Sequence, residues 1–234
     1  MTIKTIFFDM DGTLLPMDQD YFISSYMKML AAKLAPHGYE PGEMINSIWS
    51  GCHDMFSNDG SVKNEVRFWE RMEKIYGERT AALYPLLDEF YSVDFKQASR
   101  FCGHTPKSAE LLAKLKAAGY RLVLATNPVF PAVAVETRIE WAGVKKEDFE
   151  LITTYENVSH CKPNPDYYRE ILSLLLLDPT ECLMVGNDVE DDMVAESVGM
   201  KVFLLTDCLI NKKNADITAY PQGGFEELAA FIGI

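Results

Sequence analysis

The chain is expected to adopt an α/β fold, a parallel sheet with helices on both faces, interrupted after its first strand by an all-helical insertion. Three observations predict this. From Thr105 onward, short apolar runs alternate with helix-length amphipathic stretches. Three of those helical stretches stop at glycines, Gly119, Gly143 and Gly199, where a helix can end in a left-handed turn. Residues 18–97, in contrast, carry helical periodicity and little strand signal. Strands alternating with helices of this length form parallel sheets buried on both faces.

Taken in order, residues 3–9 read as the first strand. Helices follow at 21–35, 41–56, 61–76 and 78–95, punctuated by Gly38, Asn58-Asp59-Gly60 and Gly77. The second part runs helix 106–118, strand 120–125, helix 131–142, a short strand near 150–154, helix 165–176, strand 182–185, helix 191–198, strand 201–205 and helix 225–231. The leucine run 174–177 is too short to span a bilayer and reads as a buried helical stripe. Residues 1–16 and 100–234 thus form a core domain, and residues 17–99 an inserted domain. Natural hinges lie near 14–17 and 99–105.

Composition narrows the function. The 234 residues are 48% hydrophobic and 24% charged, an ordinary globular profile. The formal net charge of −13 repels nucleic acid and anionic membrane, so neither is an expected partner. An anionic substrate needs a locally positive site. The N-terminus lacks a signal peptide's apolar core, and the five scattered cysteines form no CxxC pair; reduced, mostly buried thiols in a cytoplasm are expected.

The chemistry starts at Asp9-Met10-Asp11-Gly12-Thr13, directly after the apolar run Ile6-Phe7-Phe8. Alternate residues of a strand share a face, so Asp9 and Asp11 can look at one point. Their mutual repulsion calls for a cation between them or a retained proton. An Asp-Gly turn alone would explain five residues. The later strand ends add to them. In open parallel sheets ligands bind beyond the carboxyl ends of the strands. The second strand end carries Thr126 and Asn127, the third is followed by Lys162 in Cys161-Lys162-Pro163, and the fourth by Gly186-Asn187-Asp188 with Glu190, Asp191 and Asp192 close behind. Singly, Thr126 could cap a helix, Lys162 could be a solvated charge, and the acids from Asp188 to Asp192 could complement a helix dipole. Gathered on one rim in this order, they are poorly explained by coincidence.

This set resembles the haloacid dehalogenase-like (HAD) phosphohydrolases, in the form with an α-helical cap of C1 type inserted after the first strand of a Rossmann-like core. The resemblance covers the whole chain. It implies that Asp9 is the nucleophile, Asp11 the general acid/base, Thr126 and Asn127 part of the phosphate cradle and Lys162 its basic partner. The stretch from Gly186 to Asp192 resembles the family's acidic metal motif but reads Gly-Asn-Asp where Gly-Asp is usual. The metal ligands implied are Asp9, Asp11 through its carbonyl, and Asn187, Asp188 or both; Asp192 is implied as a partner of Lys162 or of a metal-bound water. Mg²⁺ suits such all-oxygen donors. The implied activity is Mg²⁺-dependent hydrolysis of a small phosphorylated metabolite through an aspartyl phosphate. An acid at Asp11 favours an alkoxide leaving group over a halide. A phosphomutase with the same core, or a non-catalytic binding or regulatory module, remains the alternative.

Substrate choice is expected to live in the insertion. Most of its aromatics should pack its helices. Asp18, Asn46, His53 and Arg67 are polar candidates to face the core. Cys52-His53 reads as a plain helix position, and His160 as a solvent-exposed turn residue.

Overall fold

The computed structural model describes residues 2–234. Strand β1 (Thr5–Phe8) enters the centre of the sheet. The chain then makes four helices before the next strand: α1 (Gln19–Leu34), α2 (Pro41–Phe56), α3 (Asn64–Tyr76) and α4 (Thr80–Ser92). Asp18 caps α1 by accepting the Tyr21 N–H, and Pro41 opens α2, where its missing N–H costs nothing. A 3₁₀ segment, Asp94–Phe101, leads back. The remainder alternates: α5 (Lys107–Ala117), β2 (Arg121–Leu124), α6 (Ala132–Trp141), β3 (Leu151–Ile152), α7 (Pro165–Leu174), β4 (Cys182–Gly186), β5 (Lys201–Leu205), β6 (Gln222–Gly223) and α8 (Phe225–Ile232).

The sheet is parallel throughout, in the order β3-β2-β1-β4-β5-β6. The chain winds outward from β1 in one direction through β2 and β3, and in the other through β4, β5 and β6. The strand order reverses at β1 and β4, where open α/β sheets form a crevice. Burial alternates as the pleat demands. Ile6, Phe8, Leu183 and Val185 pack on one face, while Phe7, Cys182 and Met184 pack on the other against Tyr167, Tyr168 and Ile171 of α7. The first of these cores runs without a break into the helical segment through an aromatic cluster. Phe95 lies 5.2 Å from Trp141, 5.7 Å from Tyr26 and 6.1 Å from Phe130. The two connections between helical segment and sheet lie side by side, with the Gly103 N–H donating to the Pro16 carbonyl at 2.7 Å.

Two expectations are corrected, and one strand is added. The acid-rich stretch after β4 forms no α-helix; a short 3₁₀ helix, Met193–Val198, stands there instead. The leucine run is not a buried stripe: Leu174 is the exposed last residue of α7, and Leu176 is 91% exposed at φ 53°. Strand β6 had no sequence signal, since two residues pairing with the sheet edge leave no periodicity. Among the described residues, no helix is long and apolar enough to cross a membrane.

Because Phe95 joins the helical segment to the sheet's core, Phe95→Ala should cost about 3–5 kcal/mol in urea unfolding. A loss under about 1 kcal/mol would contradict the packing described.

Candidate active site

The backbone first brings the acids to one point. The Asp9 N–H donates to Val185 O, extending β1 past Phe8 toward β4. Gly12 then turns the chain at φ 85°, and a Cβ there would stand 2.3 Å from Asn187 Nδ2. Only glycine lets the β1 loop close on the β4 loop. Gly186 serves a similar end, because a Cβ there would stand 2.1 Å from Asp192 Oδ2.

Lys162 lies at the centre. Its side chain is 1% exposed, and Nζ donates to Asp9 Oδ1 at 2.8 Å and to Asp192 Oδ1 at 2.6 Å. Burial alone pushes this ammonium down; the Asp192 and Asp9 carboxylates overcome it and hold it well above the usual lysine range. Asp192 Oδ2 accepts the Asp188 N–H at 2.9 Å, which ties the lysine to the loop after β4. Asp188 Oδ1 accepts the N–H groups of Glu190 and Asp191. Asn187 accepts from Thr13 Oγ1 at 3.0 Å and donates to the Cys208 carbonyl at 2.7 Å. Thr126 is buried, its carbonyl held by Thr153 Oγ1 and the Tyr167 hydroxyl. Asn127 Nδ2 donates to Asp191 Oδ2 at 3.1 Å. Thr126, Asn127, Lys162 and the acids of both loops line one small cavity of about 30 Å³. The residues singled out on the strand ends therefore meet there, except Glu190, which lies on the outer rim and pairs with Lys213.

Asp11 has a partner that the strand ends do not reveal. Arg138 of α6, completely buried, ion-pairs with Asp11 Oδ2 and lies 4.1 Å over the Phe130 ring. Burial raises the Asp11 carboxyl, Arg138 opposes this, and the nearby Asp9 adds to the rise; the net direction is up. The signal was present in the sequence. Ala134, Val135, Arg138 and Ile139 share the buried stripe of α6, so the guanidinium is carried into the interior by an apolar pattern. Asp191 is half-buried; its desolvation, opposed by Lys162 and reinforced by the facing Asp188 and Asp9 charges, pushes its carboxyl up to about 6.

The polar candidates of the insertion are not brought to this place. Asp18 is a helix cap, Asn46 and His53 are exposed, and Arg67 pairs with Asp59 and Glu70. His160 is not a free turn residue either; its ring is half-hidden and hydrogen-bonds Glu170 at 3.0 Å.

The oxygen donors fit a hard divalent cation. Asp11 Oδ1 and Asn127 Oδ1 are buried without a hydrogen-bond partner. Among the described residues, Asp9, Asp11, Asp188, Asp191 and Asp192 face only Lys162 and Arg138 as cations in the cavity. No three His, Cys, Asp or Glu side chains among the described residues form a ready metal cluster, so carbonyls and water would complete the shell, as Mg²⁺ tolerates.

A family profile described as haloacid dehalogenase-like hydrolase matches residues 3–199. The chain belongs to that family. It is 25% identical over 203 residues to the pyrophosphatase PpaX of Bacillus thuringiensis (strain Al Hakam), covering 86% of this chain and 82% of the relative. Its fold is similar to that of CbbY from Rhodobacter sphaeroides in complex with phosphate, at TM-score 0.60, 18% identity and full coverage of both chains (100%). It is also similar to the HAD-hydrolase YfnB from Bacillus subtilis bound to magnesium, at TM-score 0.59, 16% identity and the same 100% coverage. The chain is therefore a hydrolase, and its candidate site lies at the β1–β4 crevice.

The raised Asp191 carboxyl makes stability depend on pH. Folded protein holds its proton up to about pH 6, whereas the unfolded chain releases it near the ordinary aspartate value of 3.8, so stability falls as pH rises through that window. In metal-free protein, Asp191→Asn should gain on the wild type between pH 4 and pH 7.5 by no more than about 3 kcal/mol. A stability gap that does not change with pH would contradict the burial.

Proposed function

We propose that this hydrolase is a Mg²⁺-dependent phosphatase that cleaves small phosphomonoesters through an aspartyl phosphate on Asp9. The observation that carries the reading is the Asp9–Lys162–Asp192 chain beside the paired Asp11. A binding module needs no nucleophile fixed next to a proton donor. The oxygen-only donor set supports Mg²⁺, as does the magnesium bound to YfnB.

Asp9, the carbonyl of Asp11 and Asn187 or Asp188 are the groups that would hold the ion. When bound, it supplies positive charge against the phosphoryl oxygens. Lys162 fixes the rotation of the Asp9 carboxylate and offsets its repulsion of the dianion. Thr126 and Asn127 line the phosphate position. An oxygen of Asp9 attacks phosphorus in line, and the bond to the leaving alkoxide breaks. Asp11 gives that alkoxide its proton. Arg138 occupies Asp11 Oδ2, so Oδ1, the oxygen without a partner, is the one to carry it. Asp11 then takes a proton from the water that attacks the phosphoenzyme, and phosphate leaves.

We assign residues 17–99 as a cap over a core of residues 1–16 and 100–234, acting in the cytoplasm. Cap movement about residues 14–17 and 99–105 would admit substrate and expel water.

With Mg²⁺, the protein should hydrolyse p-nitrophenyl phosphate, and chelation should abolish this. Asp9→Asn should abolish turnover, and Asp11→Asn should cost on the order of 10²–10⁴-fold on alkyl esters, both with an unchanged circular dichroism spectrum. Wild-type rates in Asp9→Asn would falsify the covalent route. No metal-dependent activity on a broad phosphometabolite panel would instead favour a binding module.

A further inference from the structure

The cleft that opens from the Asp11–Lys162 corner into the helical segment has a volume of about 480 Å³, room for a small organic molecule. Its wall is aromatic. Phe22 and Tyr26 of α1, Trp49 and Phe56 of α2, and Phe130 beyond β2 all line it. Phe22, Tyr26 and Phe130 are buried, but Trp49 and Phe56 leave 46% and 43% of their surface to water.

The charges of the cleft are as informative as its aromatics. Beyond Lys162, the one cation lining it among the described residues is Lys212, and that ammonium already faces Asp20 at 3.2 Å. Glu190, on the same rim, is matched by Lys213 at 2.7 Å. Asp188 and Asp191 close the deep end. A second phosphate or a carboxylate on the leaving group would thus lose water beside carboxylates, with only the exposed Lys212, already drawn to Asp20, as a further cation among the described lining residues. A cationic group finds the rim acids Asp20 and Glu190 already facing Lys212 and Lys213, and the acids of the deep end, Asp188 and Asp191, line the phosphate position itself. An uncharged apolar body loses nothing on entering and covers Trp49 and Phe56.

We propose that the substrates of this site are monophosphate esters of uncharged alcohols with an apolar or aromatic body. This rests on the phosphatase reading above and adds to it the class of leaving group. It disfavours pyrophosphate, bisphosphates and phosphorylated hydroxy acids for this chain.

The test is a kcat/KM series with Mg²⁺ on ethyl, butyl and hexyl phosphate and 2-phenylethyl phosphate, whose alkoxides differ little in basicity. 2-Phosphoglycolate, pyrophosphate and phosphocholine serve as the charged arms. The expected result is a rise of roughly two- to fourfold per methylene from ethyl to hexyl. Hexyl and phenylethyl esters should exceed every charged ester by about tenfold or more. Trp49→Lys, a change at an exposed position, should lower the ratio of hexyl phosphate to 2-phosphoglycolate by about tenfold. Its fold is checked by circular dichroism, and the wild-type series does not depend on it. A flat or falling chain-length series, or preference for any charged ester, overturns the leaving-group class while the phosphatase reading stands. Hydrolysis of none of these esters by folded, Mg²⁺-supplied protein overturns both.

Discussion

The Lys162 ammonium sits between the carboxylates of Asp9 and Asp192, at 2.8 and 2.6 Å, with almost no access to water. A charge taken out of water this way is tolerable only when it is paired on all sides. Each neighbouring feature serves that pairing. Gly186 makes room for the Asp192 carboxylate, Asp188 N–H fixes its other oxygen, and Asp9 emerges from β1 at the height where Lys162 arrives. The parallel sheet supplies the geometry, because β1 and β4 are neighbours at the reversal of strand order and their following loops must meet.

A second ion pair holds the other acid. Arg138 reaches Asp11 from the interior of α6, backed by the Phe130 ring, which belongs to the aromatic cluster joining helical segment and sheet. Asp11, the general acid of the proposed chemistry, is thereby connected through one guanidinium to the packing between the two parts of the chain. Its environment is a balance between burial, which favours a proton, and Arg138, which disfavours it. The two carboxylates, one residue apart in sequence, end with different partners and, in the proposed chemistry, different roles.

Much of this is legible in the amino-acid sequence. Strand ends are readable because an apolar run that stops at a polar tip is the usual mark of a buried strand leaving its sheet, and the rim of Asp9, Thr126, Lys162 and Asn187 follows from the alternation of strands and helices. Arg138 escapes such a reading because a single arginine in an amphipathic helix is ordinarily solvated; only its place among Ala134, Val135 and Ile139 marks it. The cleft wall escapes it because Trp49 and Phe56 share their spacing with core aromatics, and periodicity does not tell a packed face from one lining a cavity. Leu176 misleads for the opposite reason: an apolar residue past a helix end has no obligation to be buried.

The most direct check on the central interaction is the ionisation of Lys162 itself, followed by ¹⁵N NMR of the lysine side-chain nitrogens as pH is raised, with Lys162→Arg to assign the signal. A paired ammonium should remain protonated above the ordinary lysine value of 10.5 and exchange its protons slowly. A nitrogen that loses its proton below 10.5, as an unpaired buried amine would, contradicts the account.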